Sequence, residues 1–229
     1  DQHIGPLDRL DGTLSVNAGF MVGHSALRRV VMHDDANRRA ATPDEIEQMK
    51  TLLRSGLAAG GMGFTSTWST SHNDHNGDVV PSRAATREEL IELCSVVSEF
   101  PGTQLEFIPA VGQFSDDTFR LMGAMSAAAN RPLNWNLLQV YAQNWDLVQH
   151  QLAGFDIAAA EGGRVLALTL PDTFRLRLNF TSGFILDAAL HRLVCSNGLV
   201  VASNQGSLRF RHSGKDDLVD RVIEGTYSI

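Results

Sequence analysis

The stretch TPDEIEQMKTLLRSGLAAGGMGFTST, residues 42–67, contains a complete helix–turn–strand unit. Thr42 can cap the helix, Pro43 suits its first position, and a glutamate three residues after the threonine completes a capping box. Apolar residues then recur on one helical face, and the Gly60-Gly61 pair ends the helix before an apolar strand begins. This unit predicts one building block of an α/β fold.

A long polar loop follows this strand and extends to Arg83. It is rich in hydroxyl groups and contains His72 and His75. Such a loop is typical of an active site on an α/β scaffold, because function collects on loops held by rigid elements. A hydrophilic surface loop has a similar composition, so both interpretations stay open. The two histidines could reach a metal together with Asp74 and Asp78, but solvated loop histidines are the simpler interpretation.

The helix–strand alternation extends along most of the chain. Strands are predicted at 14–22, 62–67, 105–111, 133–140 and 165–170, with helices between them. Thr86 and Glu89 repeat the capping box at the start of one helix, and Trp145 is expected to pack on the apolar side of another. This alternation predicts βαβ units and a parallel sheet. Five strands are about half of a (β/α)8 TIM barrel, which typically needs about 250 residues. An open doubly wound sheet is the competing arrangement.

Composition narrows the class of protein. The 229 residues, 43% of them hydrophobic, suffice for one sizeable core, and a net charge of −7 makes nucleic acid an unlikely main partner. Cys94 and Cys195 lie far apart and give no disulfide framework, so a cytoplasmic location is expected. No apolar run approaches the roughly 20 residues that cross a bilayer. The chain begins with Asp1 instead of Met, which predicts a fragment of a longer protein.

The sequence changes in character near residue 188. From Ala189 onward the acidic excess disappears and the helix–strand alternation stops. A hairpin is predicted through Asn197-Gly198, because this pair is favoured in tight β-turns. We therefore expect two domains, a partial barrel over 1–188 and a small β-rich appendage over 189–229.

Seven segments carry a family resemblance: VGHSALRRVVM (22–32), RRAATPDEIEQM (38–49), GLAAGGMGFTSTWSTSHND (56–74), VPSRAATREELIEL (80–93), GTQLEFIPA (102–110), RPLNWNLL (131–138) and RLNFTSGFILD (177–187). Together they resemble the amidohydrolase family that includes N-acyl-D-amino-acid deacylases (D-aminoacylases). The resemblance implies a metal-dependent (β/α)8 barrel that hydrolyses the non-peptide C–N bond of N-acyl amino acids. In that chemistry a zinc-bound water attacks the carbonyl and an acidic residue transfers the proton.

The metal ligands of that family do not match this chain. The family has an H-x-H pair, a nearby cysteine, histidines on later strands and a late aspartate, whereas this sequence has no H-x-H and no cysteine near a histidine at ligand spacing. The segment 105–109, LEFIP, stands where the family carries H-x-R. The resemblance therefore implies zinc in the complete protein, no assured metal site or catalytic residue in this chain, and no activity of the chain alone.

Six polar residues are candidates for substrate binding: His24, Ser66, Thr67, His72, Asn134 and Asn136. They lie on predicted strands or in the segments that follow them, and a barrel builds its site where its strands end. Because alternate strand residues share a face, Asn134 and Asn136 should point the same way. Hydrogen bonding within the core is the alternative role for each. Neither a G-x-S-x-G elbow nor a paired base accompanies Ser66, so serine nucleophilic catalysis is not expected.

The expected partner is a small N-acyl amino acid or a related amide, and no association with a membrane is expected. The exposed sheet edges of a half barrel also predict self-association. Three tail segments resemble an uncharacterised phage- or plasmid-like protein family: LVCSNGLVV (193–201), SLRFRHSG (207–214) and VDRVIEGTY (219–227). The alternative function is therefore a non-enzymatic phage- or plasmid-associated protein defined by this tail.

Overall fold

The computed structural model describes residues 12–74, 77–110, 112–140 and 144–169, together with the backbone of five strands between 175 and 226. Its contacts divide the chain into two units, Asp1–Thr169 and Leu170–Ile229. The domain boundary predicted at 188 lies outside the described residues and stays a prediction.

The first unit contains a parallel sheet whose strands lie side by side in chain order. The strands are β1 (Val22–Gly23), β2 (Gly63–Thr67), β3 (Gln104–Ile108), β4 (Leu133–Asn136) and β5 (Val165–Leu168). The helices are α1 (His24–Met32), α2 (Pro43–Ala58), α3 (Arg87–Val97), α4 (Asp116–Ala129) and α5 (Trp145–Ala160). A sheet wound in one direction is typical of a barrel, whereas a doubly wound sheet reverses its strand order.

Helices cover one face of the described sheet. On this covered face, residues of β2, β3 and β4 are fully buried in one core with residues of the helices: Phe64, Leu105, Phe107, Leu133 and Trp135. The alternate strand residues lie on the opposite, open face, where Thr65, Glu106 and Asn134 are only partly buried. A barrel wall has helices on its outer side alone, so the one-sided core favours the barrel over the doubly wound sheet.

The helix starts show where capping predictions hold. In α2 the Glu45 N–H donates to Thr42 Oγ1 at 3.3 Å, and the Thr42 N–H donates to the Glu45 carboxylate at 2.8 Å, which confirms the capping box. In α3 the Glu89 N–H donates to Thr86 Oγ1 at 3.2 Å, but the Glu89 carboxylate bonds elsewhere, in the core. The second capping box was therefore only half right, because a buried arginine takes the glutamate.

Other local predictions also need correction. The strand expected at 14–22 is reduced to Val22–Gly23, since only these two residues pair with β2 while Val16 is 73% exposed. Trp145 was expected on the buried side of α5 but is 51% exposed. The helix packs instead at Gly154, where an added Cβ would meet the Phe119 ring at 2.2 Å.

The second unit consists of antiparallel strands among its described residues. They are β6 (Arg175–Leu178) paired with β10 (Ile223–Thr226), and β8 (Val200–Asn204) between β7 (Leu193–Val194) and β9 (Ser207–Arg211). The antiparallel pairing of β7 with β8 agrees with a hairpin in this segment, while the predicted turn at Asn197-Gly198 lies outside the described residues and stays a prediction. Across both units, no helix in the described part is long and apolar enough to span a membrane.

Candidate substrate-binding edge of the sheet

The carboxyl ends of β2, β3 and β4 meet along one edge of the sheet. Thr67 is in register with Ile108 in the neighbouring strand, and β4 ends nearby at Asn136. We call this the carboxyl edge. It is the edge at which barrels and other parallel sheets bind their ligands.

The open face carries a series of polar side chains that leads to this edge. Asn134 Nδ2 donates to Gln104 Oε1 at 2.9 Å and to the Leu105 carbonyl at 3.2 Å. Asn136 Nδ2 donates to Glu106 Oε1 at 3.0 Å. Carboxamide and carboxylate groups therefore lie side by side on a partly buried surface, where they can exchange hydrogen bonds with a polar ligand.

A second polar group lies on the covered face, beneath the same edge. His24 Nδ1 is 2.8 Å from Ser66 Oγ, and His24 Nε2 is 2.9 Å from Glu89 Oε1. Arg28 Nη1 donates to both carboxylate oxygens of Glu89, at 2.6 and 2.5 Å. None of the four residues is more than 6% exposed. This buried polar cluster joins the start of α1, the end of β2 and the first turn of α3.

Arg28 extends the cluster to the segment after α1. Its Nε donates to the Ala36 carbonyl at 3.0 Å and its Nη2 to the Arg39 carbonyl at 2.6 Å. All three guanidinium nitrogens thus have acceptors, which a buried cation requires to offset its loss of hydration. The cluster ties together segments that are remote in sequence.

The neighbours of His24 determine its protonation state. Glu89 is paired with Arg28 and is an ionised acceptor, so His24 Nε2 carries the hydrogen and Nδ1 accepts from the Ser66 hydroxyl. Burial lowers the pKa of His24 below its ordinary value, although Glu89 acts in the opposite direction. Burial by itself would raise the pKa of Glu89, but hydrogen bonds from His24 and Arg28 outweigh it and lower that pKa. The imidazole is therefore neutral beside an ion pair.

The loop after β2 is anchored at the carboxyl edge. Thr67 Oγ1 donates to the Ile108 carbonyl at 3.3 Å and accepts from the Ser69 N–H at 3.1 Å. Farther along this loop, burial lowers the pKa of the partly exposed His72. His75, the second histidine of the loop, lies outside the described residues.

The structure separates the six candidate residues into groups. Thr67, Asn134 and Asn136 lie on the open face, and the two asparagines share that face as predicted. His24 and Ser66 are bonded to each other on the covered face. His72 is the one candidate of the six that lies on the loop after β2. Substrate contact stays a prediction for each of them.

Glu89 and Arg28 are site residues that the sequence interpretation missed. A capping box accounted for Glu89, which concealed its second role. Arg28 follows His24 by four residues on one helix, and a polar pair at that spacing on a buried face was the available signal. The statement that no paired base accompanies Ser66 was wrong, because His24 reaches it from 42 residues away in sequence.

The described residues do not fit a zinc site. Among them, no group of three or more His, Cys, Asp or Glu side chains could hold a metal ion. Cys94 lies in the core, where burial raises the pKa of its thiol far above the ordinary range. The partly buried Glu106 carboxylate accepts from the Asn136 amide, and the buried Glu89 carboxylate is occupied by Arg28.

Comparisons with known proteins define the class. No family model matches the chain. Over 120 residues, 50% of this chain, it is 35% identical to a D-aminoacylase of Alcaligenes xylosoxydans xylosoxydans, of which it covers 22%. A D-aminoacylase crystal structure that defines a novel subset of amidohydrolases matches with a TM-score of 0.53 at 26% identity, over 72% of this chain and 33% of that chain.

Two further solved structures agree with this match. A D-aminoacylase mutant in complex with copper chloride gives a TM-score of 0.54 at 25% identity, over 78% of this chain and 35% of that chain. An N-acyl-D-glutamate deacylase of Bordetella bronchiseptica, complexed with zinc and a phosphonate inhibitor, shares the fold with a TM-score of 0.51 at 20% identity, over 75% of this chain and 34% of that chain.

The chain is thus similar to part of an amidohydrolase barrel. Within that class its relatives are of the D-aminoacylase type, hydrolases that act on C–N bonds other than peptide bonds, which confirms the predicted resemblance. The chain spans about a fifth of the curated relative and about a third of the solved ones. The resemblance of the tail to a phage- or plasmid-like family stays a prediction.

Proposed function

We propose that this chain is a section of a metal-dependent amidohydrolase barrel that acts on N-acyl-D-amino acids, and that it forms part of the substrate-binding wall. The observation that carries this proposal is the 35% identity to a D-aminoacylase in a chain whose open face carries polar side chains of β2, β3 and β4 up to the carboxyl edge. A cytoplasmic location goes with the proposal, because the free thiol of Cys94 suits a reducing compartment.

The open face supplies complementary groups for an N-acyl amino acid, which presents an amide N–H, an acyl carbonyl and a carboxylate. The Glu106 carboxylate can accept from the amide N–H, while the Asn136 carboxamide and the Thr67 hydroxyl can donate to its oxygens. No lysine or arginine occurs within β2, β3, β4 or β5. Recognition by these strands therefore rests on hydrogen bonds to the amide and not on an ion pair with the substrate carboxylate.

Zinc belongs to the complete protein in this proposal. When bound, it would supply a Lewis acid and an activated water. Since the described residues do not fit the metal, its ligands would come from segments other than these. The chain by itself is then expected to bind an N-acyl-D-amino acid weakly and to leave it uncleaved.

A chimaera tests this proposal. The 120-residue matching segment of the Alcaligenes D-aminoacylase would be replaced by that of this chain, and hydrolysis of N-acetyl-D-methionine and its L-enantiomer would be measured with and without zinc. We expect zinc-dependent hydrolysis that favours the D-enantiomer. The unmodified D-aminoacylase is the control for assay and metal loading. A chimaera that folds and binds zinc but hydrolyses neither enantiomer would contradict the proposal.

A further inference from the structure

We infer that His24 is a positioning residue, whose neutral ring, held between Ser66 and the Glu89–Arg28 pair, fixes the carboxyl end of β2 and the loop that follows it. The inference rests on the proposed function only in regarding that edge as substrate-binding. Its geometric basis is independent, because one imidazole bridges the end of β2 and the start of α3, which are separated in sequence by a long loop.

The link from Ser66 to the open face runs through its neighbour in the strand. Consecutive strand residues point to opposite faces, so fixing Ser66 on the covered face fixes the orientation of Thr67 on the open face. Thr67 Oγ1 in turn accepts from the Ser69 N–H, and the Thr67 carbonyl accepts from Ser82 Oγ at 2.8 Å. The Trp68 N–H donates to the Ile108 carbonyl at 2.8 Å. Rotation at Ser66 would disturb all three bonds.

The hydrogen-bond series Ser66–His24–Glu89 has the order of a catalytic triad, but its placement differs from one. A nucleophile must meet its substrate, whereas Ser66 is 6% exposed and lies on the covered face. His24 and Glu89 are at most 1% exposed and lie deeper still. The observations therefore favour a role in holding the edge over a role in attack.

Two near-isosteric substitutions of His24 each keep one of its two hydrogen bonds and remove the other. The asparagine of His24→Asn places its polar atoms near the former Nδ1, so it keeps an acceptor for Ser66 and loses the donor to Glu89. The glutamine of His24→Gln reaches the former Nε2 position, so it keeps the donor to Glu89 and loses the acceptor for Ser66. Ser66→Ala removes the hydroxyl without leaving a buried charge.

The experiment is amide hydrogen exchange of the full chain at neutral pH, with each variant compared with the unaltered protein. We expect exchange at Trp68 and Ser69 to rise about tenfold in His24→Gln and Ser66→Ala, as for the loss of one hydrogen bond. His24→Asn should change these two amides by less than about threefold, although it loses the charged contact and so costs more global stability. The amides of Leu121 and Met122 in α4 are the internal reference.

The contrast between local and global effects decides the outcome. The inference would be overturned if exchange rose uniformly along the chain, or if it rose at Trp68 and Ser69 only in proportion to the stability that each variant loses. Either result would show that the cluster only stabilises the core. Covalent labelling of Ser66 by a fluorophosphonate in the unaltered chain would overturn the inference in favour of a nucleophile. Neither readout uses hydrolysis, so an inactive chimaera would not affect this test. A negative result here would likewise leave the test of the proposed function unaffected.

Discussion

Ser66 and Thr67 are consecutive residues of one strand, yet they lie in opposite surroundings. Ser66 enters a buried cluster with a neutral histidine and an ion pair, whereas Thr67 lies on the partly exposed face that also carries Glu106 and Asn136. The comparison shows that polar residues at a strand end serve two tasks. One side holds the edge in place, and the other offers hydrogen bonds to a ligand. The two sides should therefore respond differently to substitution.

The largest expected effect is the loss of stability that follows removal of the Glu89 carboxylate from the covered face. Glu89→Ala leaves Arg28 charged and unpaired in the core, so the free energy of unfolding should fall by about 3–5 kcal/mol. Glu88→Ala, one residue earlier on the exposed side of the same helix turn, is the matched control and should change it by less than about 0.5 kcal/mol. Urea unfolding followed by circular dichroism measures both. Equal losses in the two variants would remove the distinction between the faces.

Substitutions on the open face should lower the stability little and the catalytic activity strongly. Asn136→Ala removes one partly buried hydrogen bond to Glu106, so we expect a stability loss of about 1 kcal/mol. In the D-aminoacylase chimaera the same change should lower kcat/KM about tenfold, because a polar group facing the substrate amide is lost. Steady-state kinetics with N-acetyl-D-methionine measures this. An unchanged kcat/KM would place substrate binding away from the open face.

The smallest expected effect is on pH dependence. The folded-state pKa of His24 is lower than its unfolded value of about 6.5, so the folded protein binds fewer protons and loses stability as pH falls below that value. The pKa of Glu89 is also lowered, and it adds a further loss below about pH 4.3. His72 acts in the same direction from a less buried position.

Thermal unfolding between pH 7.5 and 5.5 measures this dependence. The slope of Tm against pH should flatten more in His24→Asn than in His72→Asn, because His24 is buried and faces both Glu89 and Arg28. A steeper slope in His24→Asn would mean that the imidazole is protonated in the folded protein. That result would also turn Nδ1, assigned here as the acceptor from Ser66, into a donor.

The elements of the sheet could be predicted from sequence because their signals are local. The helix at Pro43–Ala58 has a capping threonine, a proline and a terminating glycine pair within one short stretch, and the structure matches it. The strand expected at 14–22 failed because apolar composition does not show whether a partner strand is in register. Periodicity likewise placed Trp145 on the packed side of α5, where it is 51% exposed, and it could not show the close packing of this helix at Gly154.

The site was less predictable because its contacts are long-range. Hydrogen bonds join His24 to Ser66 across 42 residues and to Glu89 across 65 residues. Strand alternation was enough to place Asn134 and Asn136 on one face, but no local pattern shows whether a polar strand residue faces helices or the open side. Glu89 fitted a local motif and was assigned to it. The fold then used that side chain for a tertiary contact.

The most direct measurement of the central claim is a titration of the ¹⁵N-labelled chain with N-acetyl-D-methionine, followed by two-dimensional NMR. We predict saturable shifts of the Thr67 amide and of the side-chain NH2 groups of Asn134 and Asn136, with smaller shifts for the L-enantiomer. The amide of Glu89, on the covered side, should not move. No shift at the open face up to millimolar ligand, or shifts confined to the covered side, would contradict the claim that this face binds the substrate.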